Sequence, residues 1–278
     1  MLKKLLKYEY FITARYFIPL YLCFITITLL NKLFKELDLM QDNFQVFDSL
    51  DGISKELITS AFRNLTNYLY ALFLIAMFLL TTIFLIYRFY KNMTCDEAYL
   101  QFTLPVKPGT HIVNKLLVAY TWQLLTFLLV FFSFIVLQAG HGVLPFFQSL
   151  QSNFFRLFAR QEGQALLLIA LLFLIALLSF LSLPLKFYMC MGIGQLFHKH
   201  RLLGAIGCYM GLYLLLRFLS VIFFVLYTMF ILRTNLTFRS SFISLNIFLG
   251  VIASFMLLLV IGYFSITIHL FKNKLNLQ

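Results

Sequence analysis

The densest mixture of charge, hydroxyl and aromatic side chains in this 278-residue chain is RFYKNMTCDEAYLQFTLPVKPGTHIVNKLL, from Arg88 to Leu117. Asp96 and Glu97 stand side by side there, at the head of a short candidate helix. Carboxylates in that position suit the bare amides and the positive end of the helix dipole. Tyr99, Leu100, Phe102 and Leu104 give that helix an apolar surface, and Pro105 and Pro108 stop it. Their chemistry is docking: a charged and apolar knob pressed against another protein. The plainer reading is a short interfacial helix that merely connects two spans.

Groups for catalysis are missing elsewhere. No G-x-x-x-x-G-K-[ST] occurs, so the chain carries no phosphate-cradling loop and is not itself an ATPase. H-E-x-x-H and G-x-S-x-G are absent as well. His198 and His200 flank Lys199 in a short basic turn, which reads as a solvated loop. Cys23, Cys95, Cys190 and Cys208 show neither C-x-x-C nor zinc-ligand spacing, so no metal and no structural disulfide is expected. Chain chemistry therefore points away from an enzyme and towards a membrane body that works with a partner.

Composition gives the class. Hydrophobic residues make up 62% and charged ones 12%, against about 45–50% and about 25% in soluble domains. That apolar surface cannot be hidden inside one water-soluble core of this size. The chain is read as an all-α integral membrane protein, a single domain over 1–278. Six stretches meet the ~20-residue length that crosses a bilayer: about 14–33, 67–89, 114–138, 164–186, 202–232 and 246–270. In front of them, Leu2, Leu5 and Leu6 share one helical face and Lys3, Lys4 and Lys7 the other. That pattern suits an N-terminal helix lying on the membrane surface. Nothing there looks like a cleaved signal.

The charge balance orients the spans. The net charge is +12, which reflects basic loops against anionic lipid rather than nucleic-acid binding. With both termini inside, cytoplasmic segments hold 13 Lys and Arg and external ones 8. Both termini are expected in the cytosol. No Asp or Glu falls inside the six stretches, which argues against an ion-coupled carrier.

Two features inside the spans stand out. Arg217 lies 16 residues from Arg201 and 16 from Arg233, too deep to reach an interface easily. It either lines a cavity and meets cargo or is clamped between helices. Gly207 and Gly211 form a G-x-x-x-G that permits close helix packing, within one chain or between two copies. Phe and Leu dominate the spans, as suits hydrophobic or amphipathic cargo.

The run Arg88-F-Y-K-N, then D-E-x-Y-L-x-F-T-L-P-V-x-P from Asp96 to Pro108, then Lys115-L-L, resembles type-two ATP-binding-cassette exporter permeases of Gram-positive bacteria. The likeness extends to the start MLKKLLKYEY and to YMCMGIGQLFHKHRLL at Tyr188–Leu203. Members of that family usually carry L-G-D-E-G-Y where this chain has Thr94–Cys95–Asp96–Glu97–Ala98–Tyr99. The acid pair is kept and a flexible glycine is lost. The resemblance implies two permease copies, a homodimer, in a bacterial plasma membrane with two separate ATPase subunits that bind ATP and Mg. It makes the loop between spans two and three a coupling helix, carried by Asp96, Glu97, Tyr99, Phe102, Leu104 and Pro105. It implies export of a peptide, drug or lipid-like molecule. The competing function is a membrane sensor or immunity protein for antimicrobial peptides, built on the same fold without net transport.

Overall fold

The computed structural model describes residues 2–41, 52–94, 108–138, 143–197, 200–234 and 238–273. Among them are six helices: α1 Leu2–Gln41, α2 Gly52–Thr94, α3 Pro108–Gln138, α4 Val143–Gly194, α5 Arg201–Thr234 and α6 Phe238–Asn273. Each contains a stretch long and apolar enough to cross a membrane, such as Lys3–Leu33 in α1 and Arg201–Phe230 in α5. Among the described residues the chain is all-helical, with six helices long and apolar enough to cross a membrane.

Several helices run further than the hydropathy pattern implies. α1 begins at Leu2 and continues through Pro19 without a break, so the lysine-bearing start is not a separate element. Glu9, expected outside the spans, lies on this continuous helix and is 4% exposed. α3 starts at Pro108, two turns before Lys115. Proline suits a first helical position, where its missing N–H has no partner to lose. α4 passes through Pro184, where the fourth span was expected to end, and reaches Gly194. Proline is tolerated inside membrane helices because neighbouring groups re-satisfy the freed backbone.

The chain divides into two compact units, with boundaries inside α2 and α3. One unit holds residues 3–84 and 121–149. Its helices meet along a seam of hydroxyls and aromatic rings. The Trp122 indole N–H donates to Thr13 Oγ1 at 2.9 Å, and Phe17 stacks on Trp122 with centroids 4.5 Å apart. Tyr21 Oη and Thr126 Oγ1 are 2.8 Å apart, and Thr81 joins Thr126 at 3.3 Å. Tyr70 and Thr28 both meet Ser133. Asn31 donates to the Thr66 carbonyl at 3.0 Å. From Tyr10, bonded to Thr121, to Asn31 the seam follows about 32 Å of α1 at ~1.5 Å per residue. That matches the ~30 Å hydrocarbon core. Between membrane helices apolar burial gives little attraction, so such bonds, averaging ~0.6 kcal/mol each, and close packing hold the spans together.

The other unit holds Leu85–Tyr120 and Leu150–Gln278. Its core gathers Phe89 and Met93 of α2, Ile112 and Leu116 of α3, Leu185 to Cys190 of α4, and Val260, Tyr263 and Phe271 of α6. At the turn into α5 two glycines are required. A Cβ on Gly194 would lie 2.6 Å from the Arg201 carbonyl oxygen, and one on Gly204 would lie 2.5 Å from the Phe197 ring.

Candidate functional site

The core of the second unit sits where α2 ends and α3 begins. Phe89, one turn before the end of α2, stacks on Tyr188 with centroids 3.6 Å apart and planes 9° apart. Phe271 meets it edge-on at 5.7 Å. The Tyr188 hydroxyl donates to the Lys115 backbone carbonyl at 3.5 Å. Helices α2, α3, α4 and α6 are thereby pinned around one aromatic cluster. The end of α2 and the start of α3, which flank 95–107 in the sequence, both contribute to this core through Met93 and Ile112. Asp96, Glu97, Tyr99, Phe102, Leu104 and Pro105 themselves lie outside the described residues.

Polar side chains surround those roots. Asn92 and Thr94 close α2 and are buried, while His111 (1% exposed), Asn114 (0%) and Lys115 (5%) open α3. Both side-chain polar atoms of Asn114 lack a hydrogen-bond partner among the described residues, a state that costs roughly 1–3 kcal/mol per group. The sequence reading passed over His111 and Asn114. Their spacing with Lys115, at i, i+3 and i+4, puts all three near one helical face, and that signal was present in the sequence.

Arg217 is exposed at the middle of α5, and its guanidinium has no partner among the described residues. The Ser220 hydroxyl donates to the Arg217 backbone carbonyl at 2.7 Å. Where the most apolar stretch of α1 is 28% buried, that of α5 is 0% buried. α5 touches its own unit along one edge: Tyr209 stacks on Phe187 at 4.5 Å, and Cys208 packs against the core. Gly207 and Gly211 point elsewhere, since a Cβ on either would meet no atom within 4 Å. On a helix of 3.6 residues per turn, both glycines and Leu214 share the face opposite that edge, with Arg217 on its flank. The described cysteines, Cys23, Cys190 and Cys208, are free thiols. Among the described residues no three His, Cys, Asp or Glu side chains cluster as metal ligands would.

No protein-family model matches this chain, and no curated protein or solved structure matches it. Function therefore rests on the residues themselves. The arrangement supplies four helices pinned around one aromatic cluster, and a cation exposed at the middle of α5.

Proposed function

We propose that this chain is the permease subunit of an ATP-driven exporter of the ATP-binding-cassette type, moving hydrophobic or amphipathic cargo. The observation that supports the reading is that the end of α2 and the start of α3, which flank 95–107, join α4 and α6 in the core around Phe89, Tyr188 and Phe271. A coupling element must pass force to the spans, and a stiff attachment to several helices is what that requires. The charged and apolar pattern of Asp96 to Pro105, its likeness to the exporter family and the missing phosphate loop support the same reading. In it, a second copy completes the pore, and two ATPase subunits hold ATP and Mg on the cytosolic face of a bacterial plasma membrane. Purification of the tagged chain from its native cells should bring down a P-loop ATPase whose activity rises with an amphipathic peptide or lipid-like drug. A co-purified ATPase indifferent to every such compound would favour sensing over transport. Absence of any ATPase would remove the reading.

The orientation has its own test. In a background lacking native cysteines, an impermeant thiol reagent on intact cells should label Ser49→Cys and leave Lys199→Cys untouched. Labelling of Lys199→Cys alone would place the termini outside.

In this reading Arg217 faces the translocation path. Insertion of an arginine at mid-span costs about 2.5–3.5 kcal/mol, and the guanidinium offers five donors to carbonyl or anionic groups of cargo. Arg217→Leu should keep the expression and melting temperature of the parent while changing cargo-stimulated ATP hydrolysis several-fold. Loss of the folded complex would assign the residue to packing between subunits instead.

A further inference from the structure

A cavity of about 470 Å³ opens between the last third of α5 and the first third of α6. Its volume falls within the roughly 300–1,000 Å³ of ordinary ligand sites. Phe223, Leu226 and Phe230 line it from α5, and Ile247, Phe248 and Val251 from α6. Tyr227 stacks on Phe248 at 3.9 Å and 20°, and Phe223 leans on the same ring at 6.1 Å. Three rings braced on one another keep the slot from collapsing, since stacked aromatics have few alternative rotamers. The lining residues lie in the parts of both spans nearest 235–237, within the hydrocarbon of the leaflet on that side. On the orientation proposed above, that is the outer leaflet.

What enters is decided by the mouth. Arg233 follows Phe230 by three residues and Leu226 by seven, so it stands on the cavity face of α5 one turn nearer the interface. It is exposed and has no ion-pair partner among the described residues. Arg239, four residues before Ile243, is the other basic residue near this end of the two helices in the sequence. No Asp or Glu follows Glu162 anywhere in the sequence, so neither helix brings a carboxylate to these arginines. A second copy docking by this same face would bring cations against cations, which is costly. An apolar slot under an arginine with no ion-pair partner among the described residues fits an amphiphile with an anionic head, and the planar guanidinium matches phosphate oxygens two at a time.

We propose that this cavity holds one acyl chain of an anionic phospholipid of that leaflet, with its phosphate on Arg233. The lipid is a resident of the membrane and not cargo, so the inference stands whether or not the chain transports anything.

The test uses the full-length chain in phosphatidylcholine nanodiscs doped with phosphatidylglycerol bearing a photoactivatable group on one acyl chain. Parallel discs contain phosphatidylcholine, or a free fatty acid, with the same group. Adducts should concentrate on 223–230 and 243–251, and phosphatidylglycerol should label them roughly tenfold more than phosphatidylcholine, because the choline cation of the latter competes with Arg233 for the phosphate that both lipids carry. Arg233→Gln, an exposed substitution that leaves the core alone, should erase that preference. Val251→Trp, which fills the slot, should cut labelling several-fold at an unchanged melting temperature. If Val251→Trp does not fold, the Arg233→Gln comparison alone decides. Equal labelling by the two phospholipids, adducts spread evenly over all exposed spans, a free fatty acid that labels best, or cross-links joining two copies through this face would each overturn the proposal.

Discussion

On the exporter reading proposed above, Asp96→Lys combined with Glu97→Lys should weaken association with the ATPase subunits by roughly 30- to 1,000-fold, the equivalent of about 2–4 kcal/mol. The carboxylate pair is expected to meet basic groups across a contact rim, and placing like charges there costs several kcal/mol. The spans carry none of this energy, so the permease itself should express, insert and melt as the parent does. Pull-down yield and cargo-stimulated ATP hydrolysis should fall together. A variant with parental values for both would reduce segment 95–107 to a connector.

Phe89→Ala should be the most damaging single truncation outside that segment. The ring is 1% exposed, and it is held between Tyr188 and Phe271 at centroid distances of 3.6 and 5.7 Å. Removing a buried phenyl group leaves a cavity and typically costs about 3–5 kcal/mol. For a chain of this size that corresponds to a fall in melting temperature on the order of 5–10 °C or more. The four helices would lose their common anchor, so on the exporter reading residual folded protein should sit in a complex that hydrolyses ATP without answering to cargo. Phe89→Leu, which keeps most of the volume, should restore both properties in large part. An unchanged melting temperature in Phe89→Ala would show that the cluster is not the anchor.

Hydropathy was enough to find all six spans, because twenty or so apolar residues in a row have few other uses. It could not find their ends. Pro184 reads as a stop in a soluble helix, yet in α4 the backbone continues, because a broken turn surrounded by hydrocarbon would leave more groups unsatisfied than the proline itself does. The stretch from Val143 to Gly163 carries enough charge to read as a loop, but it is helical. Asn114 shows the other limit. One amide among isoleucine, valine and leucine scarcely moves a hydropathy average, so its complete burial is visible only when α4 and α6 close over α3. Arg217 was legible in position, since a lone cation among leucines is conspicuous. The breadth of the bare face around it was not, because sequence does not say which side of an apolar helix its neighbours choose.

The hydroxyl seam has a consequence for how the protein is made. Thr13, Thr28, Thr81 and Thr126 each donate to a carbonyl four residues back on their own helix, to Glu9, Phe24, Met77 and Trp122, at 2.7 to 2.8 Å. Each of these spans therefore reaches the lipid with its threonine protons already matched. The oxygen lone pairs remain on offer. Trp122 and Tyr21 take them up only when the spans come together. Biogenesis can thus proceed in two stages, solitary helices first and their lateral pairing afterwards, with the second stage steered by acceptors that the first leaves uncommitted.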